Sequence, residues 1–198
     1  MKKLFGTGFF KDDNGAAAVE AVFILPFMCV LYFGSQDLIS LIQFNKKMTD
    51  VAVTVSDTVA QYKNTVTRAQ ISDIENAIAL IMPPSQAANV QVDVYGYYMN
   101  GSAVTKRWST KSPGATACAA PNISNFNNMM GPSTAYNDVV VAVACMNYTP
   151  WVATFMGSSN ILGAASFTLT QSIASVPYQS KSINCVTTAG GTTSCLEI

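Results

Sequence analysis

The hydrophobic pattern of the chain changes character three times. Residues 21–34, AVFILPFMCVLYFG, hold no charged side chain, and extending the run back to Ala16 gives 19 residues. At about 1.5 Å per residue this makes about 28 Å of helix, enough to cross a hydrocarbon core of about 30 Å. Pro26 lies inside the run. A soluble core helix tolerates such a proline poorly, whereas a membrane helix absorbs the lost hydrogen bond as a mild kink. Polar Ser35, Gln36 and Asp37 mark the exit. A secretory signal has the same order of basic and apolar segments, but its cleavage site would place Tyr32 or Phe33 where a small residue is needed. A retained membrane helix is the expectation, ahead of a signal or a buried core helix.

From Leu41 the pattern becomes amphipathic. Leu41, Phe44, Met48, Val51, Val55, Thr58 and Tyr62 follow alternating 3,4 spacing, with Asn45, Lys46, Lys47, Asp50, Asp57 and Gln61 between them. No Gly or Pro occurs from Ser35 to Met82. The spacing predicts one long helix, its first half in lipid and its second half presenting an apolar stripe. That stripe is expected to pack on the chain's own globular domain, in preference to an intermolecular coiled coil. A second helix is predicted over Ile71–Met82, from Ile71, Ile74, Ile78 and Ile81, ending before Pro83-Pro84.

Period two follows. Val90, Val92, Val94, Gly96 and Tyr98 alternate with Gln91, Asp93, Tyr95 and Tyr97, the pattern of a half-buried strand. Asn100-Gly101 predicts a hairpin, with Ala103–Ser109 returning antiparallel. Residues 110–137 read as irregular, Asp138–Tyr148 as a central strand, and Ala165–Ser175 as a further alternating one. The expected fold is α+β: a long N-terminal transmembrane helix packed on a four-stranded antiparallel sheet. Three regions are expected, a leader over 1–15, a membrane-spanning and extended helix over 16–62, and an α+β head over 63–198.

Composition narrows the function classes. Only 11% of the residues are charged, against about 25% in soluble domains. The zero net charge is a sum of unlike parts, +1 over residues 1–15, −3 over 16–100 and +2 over 101–198. No basic excess recommends a nucleic-acid partner. The chain has no His, hence neither the commonest metal ligand nor the commonest general base. It also lacks a G-x-S-x-G elbow, a Walker loop and metal-type Cys spacing. Asp73 and Glu75, two apart on a predicted helix, do not face each other. No enzymatic activity, cofactor or metal is expected. Asn122-Ile-Ser and Asn147-Tyr-Thr fit a glycosylation sequon, too short a match to build on.

Cys29 lies in the apolar run, and the other four cysteines, Cys118, Cys145, Cys185 and Cys195, all follow it. An even number without C-x-x-C spacing or His points to two disulfides, and so to an oxidising compartment such as the bacterial periplasm. Three pairings are open. The preferred one joins Cys185 to Cys195 around the flexible VTTAGGTTS loop, leaving Cys118 with Cys145. The N terminus, with Lys2, Lys3 and Lys11, is then expected in the cytoplasm, although Lys46 and Lys47 on the far side blur the charge rule.

Glu20 is the anomaly. A carboxylate four residues inside an apolar stretch costs up to ~3 kcal/mol near the bilayer centre and less near its edge. Upstream stand Gly15 and the small residues Ala16, Ala17, Ala18 and Val19, behind a short basic leader. Gly-x-x-x-x-Glu opening an apolar helix resembles a type IV prepilin processing site, with cleavage after Gly15 freeing the amine of Ala16. More closely, GAAAVEAVFILPF, residues 15–27, resembles the N-terminal motif of the TadE/TadG-like pseudopilins of tight-adherence (Tad/Flp) pilus systems, including a proline six residues past the Glu. Ala21 departs from the aromatic residue often found after that Glu. The motif covers only about 30 residues.

The resemblance implies a pilin-like, non-enzymatic minor pilin cut and methylated by a prepilin peptidase. It implies as partners other Tad pseudopilins, the major Flp pilin, an inner-membrane assembly platform and membrane lipid. It also implies that Glu20 offsets the new amine of a neighbouring subunit when the helices pack. The implied location is the bacterial inner membrane, single pass, with a periplasmic head and possible incorporation into the pilus. The competing expectation is a permanently anchored periplasmic binding or scaffold module, with Tyr95, Tyr97, Tyr98 and Trp108 as a candidate aromatic surface.

Overall fold

The computed structural model describes residues 13–82, 89–100, 103–111, 118–129, 138–150, 167–177, 183–187 and 195. They form an α+β protein of two compact units, one of Met1–Ile42 with Thr149–Ala165, the other of Gln43–Tyr148 with Ser166–Ile198.

One helix, α1 (Asp13–Ala60), begins in the first unit and ends in the second, and it includes Pro26 without stopping there. Val22, Phe23, Ile24 and Leu25 are 69%, 71%, 54% and 63% exposed. Four consecutive residues at about 100° each point around the whole helix, so no described residue covers any side of it here. The helix is long and apolar enough to cross a membrane. Ser35 donates its hydroxyl to the Tyr32 carbonyl at 2.7 Å, so this polar group is satisfied within the helix.

In the second unit α1 supplies the head's core. Met48, Val51, Ala52, Val55 and Val59 are buried against Val92, Val94, Val140, Ala142, Ala144 and Met146 of the sheet. The apolar stripe is therefore used within the chain, and Ala52, Ser56, Val59 and Ala60 make its buried face wider than the 3,4 spacing alone indicates. The helix ends at Ala60, two residues short of the predicted boundary. Gln61 donates to the Asp57 and Thr58 carbonyls and Tyr62 to that of Val59, tightening the last turn. Asn64 then takes a positive φ of 68°, which Asn tolerates better than most residues.

A short strand β1 (Thr65–Thr67) leads into α2 (Arg68–Ile81). Thr67 and Gln70 form a capping box, in which the Gln70 N–H bonds the Thr67 hydroxyl and the Thr67 N–H bonds the Gln70 amide oxygen. The main sheet contains β2 (Val90–Asn100), β3 (Ala103–Lys111), β4 (Val139–Tyr148) and β5 (Phe167–Ser175). Its order is β3-β2-β4-β5, all antiparallel, and β6 (Asn184–Val186) pairs in parallel with β1 as a separate ladder. A 3-10 helix, Ile123–Met129, lies in the region read as irregular. Gly101 of the expected hairpin turn, and half of that irregular region, lie outside the described residues.

The pattern of β2 misled in one respect. It reads as half-buried, yet Gln91 through Tyr97 are all buried. Its even positions face α1, and its odd positions, Tyr95 and Tyr97, pack with Val139, Val141, Val143, Cys118 and Cys145. Ile123 and Phe126 complete that second cluster. Polar Gln91 and Asp93 are enclosed because a distant segment, anchored at Cys118, returns over them.

Candidate functional site

Gly15 and Ala16 fall in the first turn of α1, which starts at Asp13. The first four N–H groups of a helix have no intrahelical acceptor, and Gly is the poorest helix former after Pro. This turn therefore opens at small cost. The first 12 residues of the expected leader lie outside the described residues.

Glu20 follows Ala16 by four residues, one helical turn, so the two share a face. Its side chain is exposed, beside a shallow apolar depression formed with Ala21, Ile24, Leu25 and Met28. No ion pair to Glu20 occurs among the described residues. In an apolar surrounding that carboxylate gains most from a cation brought by a neighbour.

The cysteines are paired Cys118–Cys145 and Cys185–Cys195. The first bridge fastens the covering segment to β4, and the second closes the chain after β6, where the Cys195 N–H also bonds the Cys185 carbonyl at 3.2 Å. Much of the VTTAGGTTS loop lies outside the described residues. Cys29 carries a free thiol on the apolar helix. No group of three or more metal-ligating side chains occurs among the described residues.

Two buried carboxyls were not anticipated from the sequence. Asp93 accepts from the Cys118 N–H at 3.0 Å, the Tyr95 hydroxyl at 3.3 Å and the Gln91 amide at 3.4 Å. Burial outweighs these bonds and raises its pKa. Asp138 accepts from the Ile183 N–H at 2.9 Å and lies 3.3 Å from the Arg107 guanidinium. Arg107 also donates to Asn184 at 2.9 Å and sits over the Tyr98 ring. Together with the Trp108 indole N–H on the Ile183 carbonyl at 2.8 Å, this cluster holds the β6 segment against β3. Only pairing between distant residues encloses these acids, so no local motif announces them.

Burial pushes the Asp138 pKa up from 3.8 to about 6, against the opposing pull of Arg107 and the Ile183 N–H. The folded head thus keeps a proton between pH 4 and 6 that the unfolded chain releases. Its contribution is fully present below pH 4 and falls as pH rises to 6, by about 3 kcal/mol at about 1.4 kcal/mol per pKa unit. Thermal melting of the detergent-solubilised chain should show this decline. Asp138→Asn should flatten it in part, leaving the same-signed slope from Asp93; an unchanged profile would refute the assignment.

Tyr95, Tyr97 and Trp108 are buried and Tyr98 half-buried beneath Arg107, so the aromatic group does not form an open surface. Asn122 accepts from the Ser124 N–H and hydroxyl in a local turn, and Asn147 accepts from the Thr168 hydroxyl. No family model, no curated protein and no solved structure matches this chain.

Proposed function

We propose that the protein is a minor pilin or pseudopilin of a Tad-type pilus. It is anchored by α1 in the bacterial inner membrane with its head in the periplasm. A prepilin peptidase cuts after Gly15 and methylates Ala16. The mature chain then acts in initiating, priming or capping the pilus, together with other pseudopilins, the major pilin and the membrane assembly platform.

One juxtaposition carries this reading. A Gly-Ala bond in a weak first turn and a carboxylate one turn later open a helix whose first half, around Val22–Leu25, is exposed and apolar enough for lipid. Such a helix must be covered, by lipid before assembly and by neighbouring helices after it. Glu20 has no cationic partner among the described residues, and cleavage supplies one, an amine that a packed neighbour can present to it. The two disulfides suit an exported head.

The deciding experiment is mass spectrometry of the protein taken from its native membrane. An N terminus at methylated Ala16 is expected, whereas an intact Met1 would favour a permanent anchor. Glu20→Ala should leave insertion intact and reduce pilus assembly severely, as counted by electron microscopy; unchanged piliation would refute the role given to this carboxylate.

A further inference from the structure

We propose that the Cys118–Cys145 bridge is a redox latch, which an external dithiol opens to free the covering segment from the second face of the sheet. The two bridges lie in different cores. Cys185 and Cys195 belong to the core that α1 shares with the sheet, whereas Cys118 and Cys145 belong to the smaller cluster of Tyr95, Tyr97, Val139, Val141 and Val143. Cys118 and Cys145 are each 7% exposed, against 1% and 4% for Cys185 and Cys195. An attacking thiolate therefore reaches the first bridge with less opening of the head.

The smaller cluster depends on that bridge for its closure. Residues 118–129 contain no strand and add no rung to the sheet. Besides the bridge, they are held by the Cys118 N–H on Asp93 at 3.0 Å and by Ile123 and Phe126, both half-buried. The other core, by contrast, has Met48, Val51, Val55 and Val59 on a continuous helix. It has no need of Cys118. Asp93 lies wholly buried beneath the segment, and its carboxyl regains water once the segment leaves. A bridge across 27 residues holds such a segment by limiting its freedom, and its loss should raise opening by on the order of 100-fold.

The step is thiol–disulfide exchange. One thiol of the dithiol ionises and attacks Sγ of Cys145; the bond to Cys118 breaks, and the Cys118 sulfur leaves with the bonding pair and takes up a proton. The second thiol ionises likewise and displaces the Cys145 sulfur, which takes up a proton in turn. The dithiol ends as a disulfide and the head as two thiols. The reduced head presents Tyr95, Tyr97 and the valines of β4 to solvent, while α1 keeps its place on the sheet.

The test titrates the full-length, detergent-solubilised chain carrying Cys29→Ser with dithiothreitol. Alkylation read by mass spectrometry should find Cys118 and Cys145 reduced at a concentration about tenfold below that needed for Cys185 and Cys195. In that half-reduced chain, hydroxyl-radical footprinting should modify Tyr95 and Tyr97 several-fold more. Amide exchange over 118–129 should quicken, with Trp108 and the helix from Met48 to Val59 unchanged. Cys118→Ser combined with Cys145→Ser should reproduce this without reductant. Equal reduction of both bridges, or earlier reduction of Cys185–Cys195, overturns the selectivity on which the latch rests. Tyrosines that stay protected in the half-reduced chain or in the double variant overturn the release. Exposure of Trp108 together with the tyrosines overturns the latch in favour of general unfolding.

Discussion

Gly15→Ala should leave the chain uncut. The expected product in native membranes retains residues 1–15, is unmethylated at Ala16 and has the mass of the precursor. The cause is steric: a backbone entering a protease groove without a Cβ can approach its catalytic groups more closely than any other residue allows. Alanine also strengthens the first helical turn relative to glycine, by about 1 kcal/mol, which opposes the extension that cleavage needs. The apolar stretch is untouched, so the variant should still resist alkaline extraction from membranes. Resistance with no cleavage separates a processing defect from an insertion defect. Normal cleavage of this variant would overturn the assignment of Gly15.

Gly96→Ala should be the most damaging single change in the head. A Cβ at Gly96 would overlap both Cε2 and Nε1 of Trp108, well inside van der Waals contact. Trp108 is 1% exposed and holds the Ile183 carbonyl through its indole N–H, so its ring has little room to withdraw. Overpacking and the loss of that buried bond together should cost about 4 kcal/mol, a large share of a total stability of about 5–15 kcal/mol. The melting temperature should fall by on the order of 10 °C, read from near-ultraviolet circular dichroism. Trp108→Phe in the same chain should soften the effect, making the pair less costly than the sum of its parts. Simple additivity would show that the ring contact is not the cause.

The two predictions differ in how far the sequence alone leads to them. The roles proposed for Gly15, Ala16 and Glu20 rest on neighbours in the chain: a small-residue run, a basic leader and a carboxylate set in an apolar helix. Gly96 was legible only as one position of an alternating strand. Its pairing with Trp108 requires the β2–β3 register, and the register shifts between Gly96 and Tyr97. The same distinction explains α1. Its apolar stripe is periodic and easily read, but its end at Ala60 follows from the turn at Asn64, with no Gly or Pro to mark it.

The cysteines show the boundary from another side. Their number and spacing argue for two bridges and against a zinc site. Cys118 nevertheless lies far from Cys145 in the chain, 27 residues away, and it meets β4 only because its segment crosses the second face of the sheet. That crossing also buries both faces of β2 from Gln91 to Tyr97 and encloses Asp93.

By itself, then, the sequence determined the apolar helix, the order of the two helices and the four strands of the main sheet, the lack of histidine chemistry and the motif around Gly15 and Glu20. Each of these is expressed within a few residues of chain, where period and side-chain type act directly. The tertiary structure alone decided which surfaces α1 covers, how Trp108 closes over Gly96, and why Asp138 holds its proton to about pH 6. Those properties depend on desolvation and contact between residues far apart in sequence, and such residues acquire a common environment only when the sheet has formed.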